Sequence, residues 1–453
     1  MNHELWNKIL VFDFDNPPAE YSFSIRLADE NAWTKQFTAQ AILEYKKFMY
    51  LAATSDFMVS PSEIVDTVWH QHLIFTQSYQ DFCSTIGKQI QHVPSTHNKE
   101  DFQKFKQAKE RTTKLYAEAF GEQPRQIWEY GHIYEGLHLA KAKMKIRGFV
   151  VIGLLLFAAL IIPCYYLLRP IYIHIDNPDF IISFIVIVIL LFTSLEIYNR
   201  HILKKIVKQF DKDSFINHLT ALELIYLQKG KLTDAINAPV NELIELGAIQ
   251  INEDKTISLV SNFTNSEEQL QVSATLNDLG TVFYPTLLQQ LATKPIFSNI
   301  AKSMNAFSKY FIKSKKFGQL FYLNFSACTI LFLLGLTRYM IGISREKPVV
   351  QIGVALTILA IIIIAYLNRL TGLVSINTIP QLYKLEILPS RLVMHDWQWN
   401  YFLSGSSVLA ASFIPLVNYV DRNSENNTGS CSSSCGSSCG SSCSSCGGCG
   451  GGD

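Results

Sequence analysis

Long charge-free apolar runs alternate along this chain with stretches of mixed polar and apolar residues. The segments 149–168 (FVVIGLLLFAALIIPCYYLL), 180–195 (FIISFIVIVILLFTSL), 319–337 (QLFYLNFSACTILFLLGLT) and 349–367 (VVQIGVALTILAIIIIAYL) contain no Asp, Glu, Lys or Arg. A hydrocarbon core takes about 20 apolar residues as helix, and a helix satisfies its own backbone in lipid. A buried core helix is the alternative, but such helices are rarely this long and apolar. A fifth run, 401–420 (YFLSGSSVLAASFIPLVNYV), is diluted by Ser and Gly. It is a candidate fifth span, and the balance falls toward five because it carries no charge and a polar tail follows it.

The intervening stretches read as helices and one hairpin. In AILEYKKFMYLA, Ile42, Tyr45, Met49 and Ala52 share one helical face. In SPSEIVDTVWHQHLIF, Ser60 or Ser62 is the expected N-cap, with Pro61 near the first turn and Glu63 within it. Residues 100–120 form a third helix that ends at Gly121 and Pro124. Further on, HLTALELIYLQ is a helix and Lys229-Gly230 a turn; LTDAINAPVNELIELG is a helix broken near Pro239 and stopped at Gly247. IQINEDKTISLV alternates on both sides of Asn252–Lys255, a β-hairpin signature. Helix, turn, helix, hairpin is the order of a winged helix.

The expected fold is therefore mainly α: a multi-pass membrane protein with four to five spans arranged as hairpins. A helical N-terminal domain covers 1–147, a hairpin 148–199, a small winged-helix-like α+β domain 200–317 and a second hairpin 318–369. A link with the candidate fifth span covers 370–421, and a Ser/Gly/Cys tail 422–453. Composition agrees: 48% of residues are hydrophobic and 17% charged, where soluble domains average about 25% charged.

Charge sets the expected orientation. MNHELWNKIL has no clean apolar stretch of the signal-peptide kind. Lys141, Lys143, Lys145 and Arg147 precede the first run; Arg200, Lys204, Lys205 and Lys208 follow the second; Lys313, Lys315 and Lys316 precede the third; Arg369 follows the fourth. The connection after the first run holds only Arg169 among basic residues, while that after the third holds Arg338, Arg345 and Lys347. The positive-inside rule puts both large soluble regions in the cytosol of a cell membrane, on this reading a bacterial inner membrane. The expected partners are membrane lipid and other proteins. The net charge of +1 and an acidic second helix, with Asp234, Glu242 and Glu245, argue against nucleic acid.

Candidate chemistry sits in two places. His70 lies one helical turn after Asp66, so a carboxylate–imidazole pair forms there, the arrangement used beside a metal or by a general base. His70 and His72 point about 200° apart on a helix and cannot share one ion; His72 shares a face with Val65, Val68 and Trp69 and reads as core. Asp66, His70 and His92 are the candidate metal ligands, with His97 and Cys83 as further donors if the fold brings them close. The second place is the tail, where Cys431, Cys435, Cys439, Cys443, Cys446 and Cys449 recur every three or four residues. Cytosolic thiolates there would suit Zn²⁺ or Cu⁺; outside the cytosol they would form disulfides; a mobile tail without a fixed ligand is the plainer alternative. No ionisable group but Cys164 and Cys328 lies near the centre of the four strong runs, which argues against ion-coupled transport.

Two stretches resemble known families. Residues 38–128 are similar to the domain of glycine-rich domain-containing proteins of plants and bacteria. The matching residues are Pro61, Val65, Asp66, Trp69, His70, His72, Tyr79, Cys83, His92, Phe120, Gly121 and Trp128, and that resemblance implies a fold rather than an activity. From about 210 onward the chain resembles a family of bacterial membrane proteins ending in Gly- and Cys-rich tails, although this tail is richer in Ser. The favoured function is a membrane-anchored scaffold or interaction protein. The alternatives are a metal-dependent enzyme or metal-binding protein using Asp66, His70 and His92, and an envelope transport or export component.

Overall fold

A computed structural model describes residues 2–93, 99–262, 264–390 and 397–428. His97 and all six tail cysteines lie outside them.

The N-terminal module is helical. Asn2 caps α1 (His3–Val11) through the Leu5 N–H, and α2 (Phe23–Asn31) follows. Thr34 caps α3 (Lys35–Thr54), whose buried face carries Ala41, Tyr45, Phe48 and Met49, with Ile42 and Ala52 at its margins. Ser62 caps α4 (Glu63–Ile74) through the Val65 N–H. Gly87, at φ +73°, ends α5 (Thr76–Ile86) in the left-handed conformation that glycine adopts without strain. α6 (Lys99–Phe120) and α7 (Arg125–Trp128) close the module. Inside it Glu44 is buried, and its carboxylate accepts from Tyr116 Oη (2.8 Å), Trp128 Nε1 (2.7 Å) and Lys47 Nζ (2.8 Å). A buried carboxylate is tolerated only with such a full set of donors.

Four helices are long and apolar enough to cross a membrane: α8 (Ile146–Tyr172), α9 (Asn177–Val207), α15 (Lys315–Ser344) and α16 (Val350–Leu373), the last running on through π-helical turns to Ile387. They contain the four strong apolar runs. α15 is central and packs on the other three. The roots of the two hairpins are stitched together: Ala142 N donates to Lys313 O (3.0 Å) and Lys315 N to Ala140 O (2.7 Å), around a bridge between Lys141 and Ser314. Asn199 of α9 and Asn324 of α15 bond each other through their amides, joined by Tyr366 Oη of α16.

Arg338, read from the sequence as part of a connection, lies inside α15 instead. Its guanidinium donates to the carbonyls of Tyr172 and Ile175, at the C-terminal end of α8. Carbonyls at and just beyond a helix C-terminus carry partial negative charge, and the guanidinium meets it there.

Between the hairpins lie α10 (Ala221–Lys229), α11 (Leu232–Glu245), β1 (Ile249–Ile251), β2 (Thr256–Leu259), α12 (Glu267–Leu279), β3 (Val282–Phe283), α13 (Tyr284–Thr293) and α14 (Pro295–Ile312). The hairpin pairs Ile249 with Leu259 and Ile251 with Ile257, turning through Asn252–Lys255; β3 adds a third antiparallel strand beside β2. Pro239 does not break α11. The helix runs through it, held on several sides by α10, α12, α13 and α14, so packing overrides the missing backbone donor.

The candidate fifth span is corrected. Residues 401–420 do not form one helix: α18 (Trp397–Ser404) gives way to a 3₁₀ turn, then to non-helical residues, before α19 (Ile414–Thr428). Tyr401, Phe402, Leu409 and Phe413 are buried in the hydrophobic core, with α18 packed on α10 and α11. Asn241 Oδ1 accepts from Ala410 N (2.8 Å) and Phe413 meets Tyr284 edge-on. α17 (Ile379–Leu382) belongs to the extension of α16.

The N-terminal module and the region between the two long-helix pairs share one continuous hydrophobic core, which extends into α15 and α16. α2 packs on α14, Asn299 Nδ2 donates to Trp33 O (2.9 Å), and Lys35 pairs with Glu268 (2.7 Å). The Glu223 carboxylate closes a capping box at Thr220 and also accepts from the Lys35 N–H (3.1 Å), so a single side chain ties both regions.

Candidate metal centre

Helix periodicity brings the first two ligands together. Asp66 and His70 are one turn apart on α4, with Asp66 Oδ2 3.2 Å from His70 Nδ1. His92 arrives from the extended segment that follows α5, and its Nε2 lies 3.0 Å from Asp66 Oδ1. The His70 and His92 rings meet edge to face, with centroids 4.4 Å apart. One ligand atom from each residue lies within 4.8 Å of the others, the only such trio among the described residues.

His92 is held there by specific contacts. The Tyr79 hydroxyl donates to Ile90 O, and Trp69 Nε1 donates to Tyr79 Oη (3.2 Å). The Lys88 ammonium bonds the carbonyls of Ala52 (3.0 Å), in the last turn of α3, and of Ser55 (2.9 Å), just beyond it. Trp69 is buried and packs edge-on against the His92 ring at 4.6 Å. Asp66, Trp69 and His92 line a cleft of about 420 Å³ beside residues 55–63. Its far wall is pinned by Thr112, whose hydroxyl accepts from Ser60 N (2.8 Å), and by Arg111, which donates to Met58 O (2.5 Å).

The other sequence candidates fall elsewhere. His72 is fully buried; its Nδ1 meets Tyr45 Oη (2.9 Å) and its Nε2 meets Ser78 Oγ (3.2 Å). Burial pushes its pKa down to about 3, so it is a neutral core histidine. Cys83 is buried in the same core, outside the trio. Sequence reasoning missed the positioning roles of Tyr79 and Lys88 and the buried Glu44; the last had no signal beyond a charge on an otherwise apolar helical face.

An N₂O donor set of two imidazoles and one carboxylate suits Zn²⁺ or another first-row divalent ion. Without an ion, His92 Nε2 hydrogen-bonds the Asp66 carboxylate (3.0 Å) and His70 Nδ1 hydrogen-bonds the Asp66 main-chain carbonyl (2.9 Å), so ion binding would displace these bonds and release protons. Three protein ligands would leave a position open for water or substrate.

A family model described as UCP032817-like matches residues 21–119, less than a quarter of the chain but including the whole trio. No curated protein and no solved structure matches the chain.

Proposed function

We propose that this protein is a membrane-anchored metal-binding protein, with its metal at Asp66, His70 and His92 and its ligand cleft facing the cytosol. The observation that carries the reading is the convergence of three ligand atoms, one of them from a separate segment, beside a pinned cleft. The resemblance to glycine-rich domain-containing proteins, which spans these residues, is consistent with it. On this reading α8, α9, α15 and α16 span the membrane, and the stitched hairpin roots support both soluble regions lying on one side. The basic flanks favour the cytosol for that side, and four spans return the C-terminus to it. The tail thiols then stay reduced, which favours metal binding over disulfides.

A second reading concerns the winged-helix-like region. Most of α11 is buried, including Ala235, Ile236, Ala238, Val240 and Leu243. A helix so covered has little surface left to read a groove, which supports a scaffold that carries the metal module rather than a nucleic-acid binder.

The test is metal content of the full-length protein with its six tail cysteines changed to serine, to isolate the trio. About one zinc per chain is expected, lost in Asp66→Ala and in His92→Ala. A metal-free chain with the trio intact, or full retention in His92→Ala, overturns the reading.

A further inference from the structure

At the end of the apolar run of α9 the chain places Arg200, His201 and Lys204, while Asn377, Thr378 and Gln381 come from the π-helical extension of α16. These six line a cleft of about 200 Å³. The level of the cleft is marked by Glu196, one turn back along α9, which bonds Arg369 (2.9 Å) and Arg200 Nε (2.7 Å) across the two helices. Arg200 thus holds one nitrogen on Glu196, while its side chain remains about half exposed.

The acid in the lining is accounted for. Glu386 lies 2.9 Å from Lys208 and 3.5 Å from Lys204, so its charge is met chiefly by a lysine outside the cleft. Arg200 and Lys204 then leave the lining with a surplus of positive charge. Asn377 and Gln381 bring amide donors to the lining from the other helix, while the Thr378 hydroxyl donates to Leu373 O (3.4 Å). Exposed Leu385 lines the cleft, exposed Ile376 precedes Asn377 in the same extension, and exposed aliphatic residues continue along α9 and α16. Cationic and amide donors at the end of an apolar helix pair, beside exposed aliphatic groups, match the two ends of one ligand class. The geometry points to a binding site for the phosphodiester headgroup of an anionic phospholipid, with the acyl chains outside the cleft along α9 and α16. This rests on the reading of these helices as membrane spans.

The test titrates full-length detergent-purified protein with phosphatidylglycerol, phosphatidylcholine or inorganic phosphate, read by native mass spectrometry. Phosphatidylglycerol should bind roughly tenfold more tightly than phosphatidylcholine, and the double variant Arg200→Gln/Lys204→Gln should lose that preference. Lys205→Gln/Lys212→Gln removes equal charge outside the cleft and should keep it. Asn377→Ala/Gln381→Ala leaves every ion pair intact and should weaken binding severalfold, which guards against a folding defect in the charge variant. Equal loss in both charge variants reduces the effect to general surface attraction and overturns the site. So does inorganic phosphate binding as tightly as phosphatidylglycerol, which would make the ligand a free anion. Alkaline carbonate extraction separates the two levels of failure. A chain that resists extraction but shows no lipid preference overturns the cleft alone; a chain that is extracted overturns the spans as well.

Discussion

Asn199 and Asn324 donate to each other's side-chain oxygens, at 2.9 and 2.8 Å, across α9 and α15. Both are fully buried, and Tyr366 joins them from α16. Interhelical polar pairs in membrane bundles contribute about 0.6–1.7 kcal/mol each. Asn199→Ala should lower stability in detergent by about that amount, and Asn199→Ala/Asn324→Leu should recover part of it by removing the orphaned amide. Thermal unfolding of the parent and the two variants decides it; a double variant less stable than Asn199→Ala would sink the account.

Trp69 is a wall of the cleft and part of the core at once. Trp69→Ala should destabilise the protein by roughly 3–5 kcal/mol, measured by denaturant unfolding. A loss below about 1 kcal/mol would show that the ring contributes little to packing.

Tyr79→Phe is a more selective probe. It removes the bond to Ile90 O that holds the His92 segment while keeping the ring. Zinc affinity should fall about tenfold, as for other residues that orient ligands, with only a small change in unfolding midpoint. Unchanged affinity would mean that Lys88 alone holds the segment.

Glu223 gives a pH dependence. Burial pushes its pKa above the ordinary carboxyl range, outweighing the N–H groups of Thr220 and Lys35 that bond its charged form. The folded chain therefore keeps this proton at pH values where the unfolded chain has released it. Its contribution to stability improves as pH falls through the raised value and levels off below the unfolded value. Glu223→Gln should be most stabilising relative to the parent near pH 8, with the difference in Tm shrinking toward pH 5. A difference that grows toward acid pH would reverse the sign and refute the argument.

The tail follows from the span count. With 401–420 folded onto the second soluble module, a membrane-impermeant thiol reagent should label Cys431–Cys449 only after the cells are opened. Labelling of intact cells would mean that a further segment crosses.

The four apolar helices were legible because about 20 charge-free residues in a row have few other uses. Asp66 and His70 were legible because helical spacing is local. His92 was nameable but could not be placed, since its position depends on Tyr79 and Lys88 reaching across the fold. Residues 401–420 misled because burying Tyr401, Phe402 and Phe413 in a protein core takes the same apolar composition as meeting lipid. Pro239 failed as a breaker, and Arg338 fell inside a helix instead of the connection, for a related reason: each is met by neighbours distant in sequence.

The stitch between Lys141 and Ser314 also sets a schedule. Its halves are 173 positions apart in the chain. At translation rates of about 5–20 residues per second, the second strand leaves the ribosome roughly 10–35 s after the first. During that interval α8 and α9 must hold without α15, the helix α8 packs against most. A newly made α8–α9 pair is therefore an orphan, open to chaperones and quality-control proteases until the second half of the chain arrives.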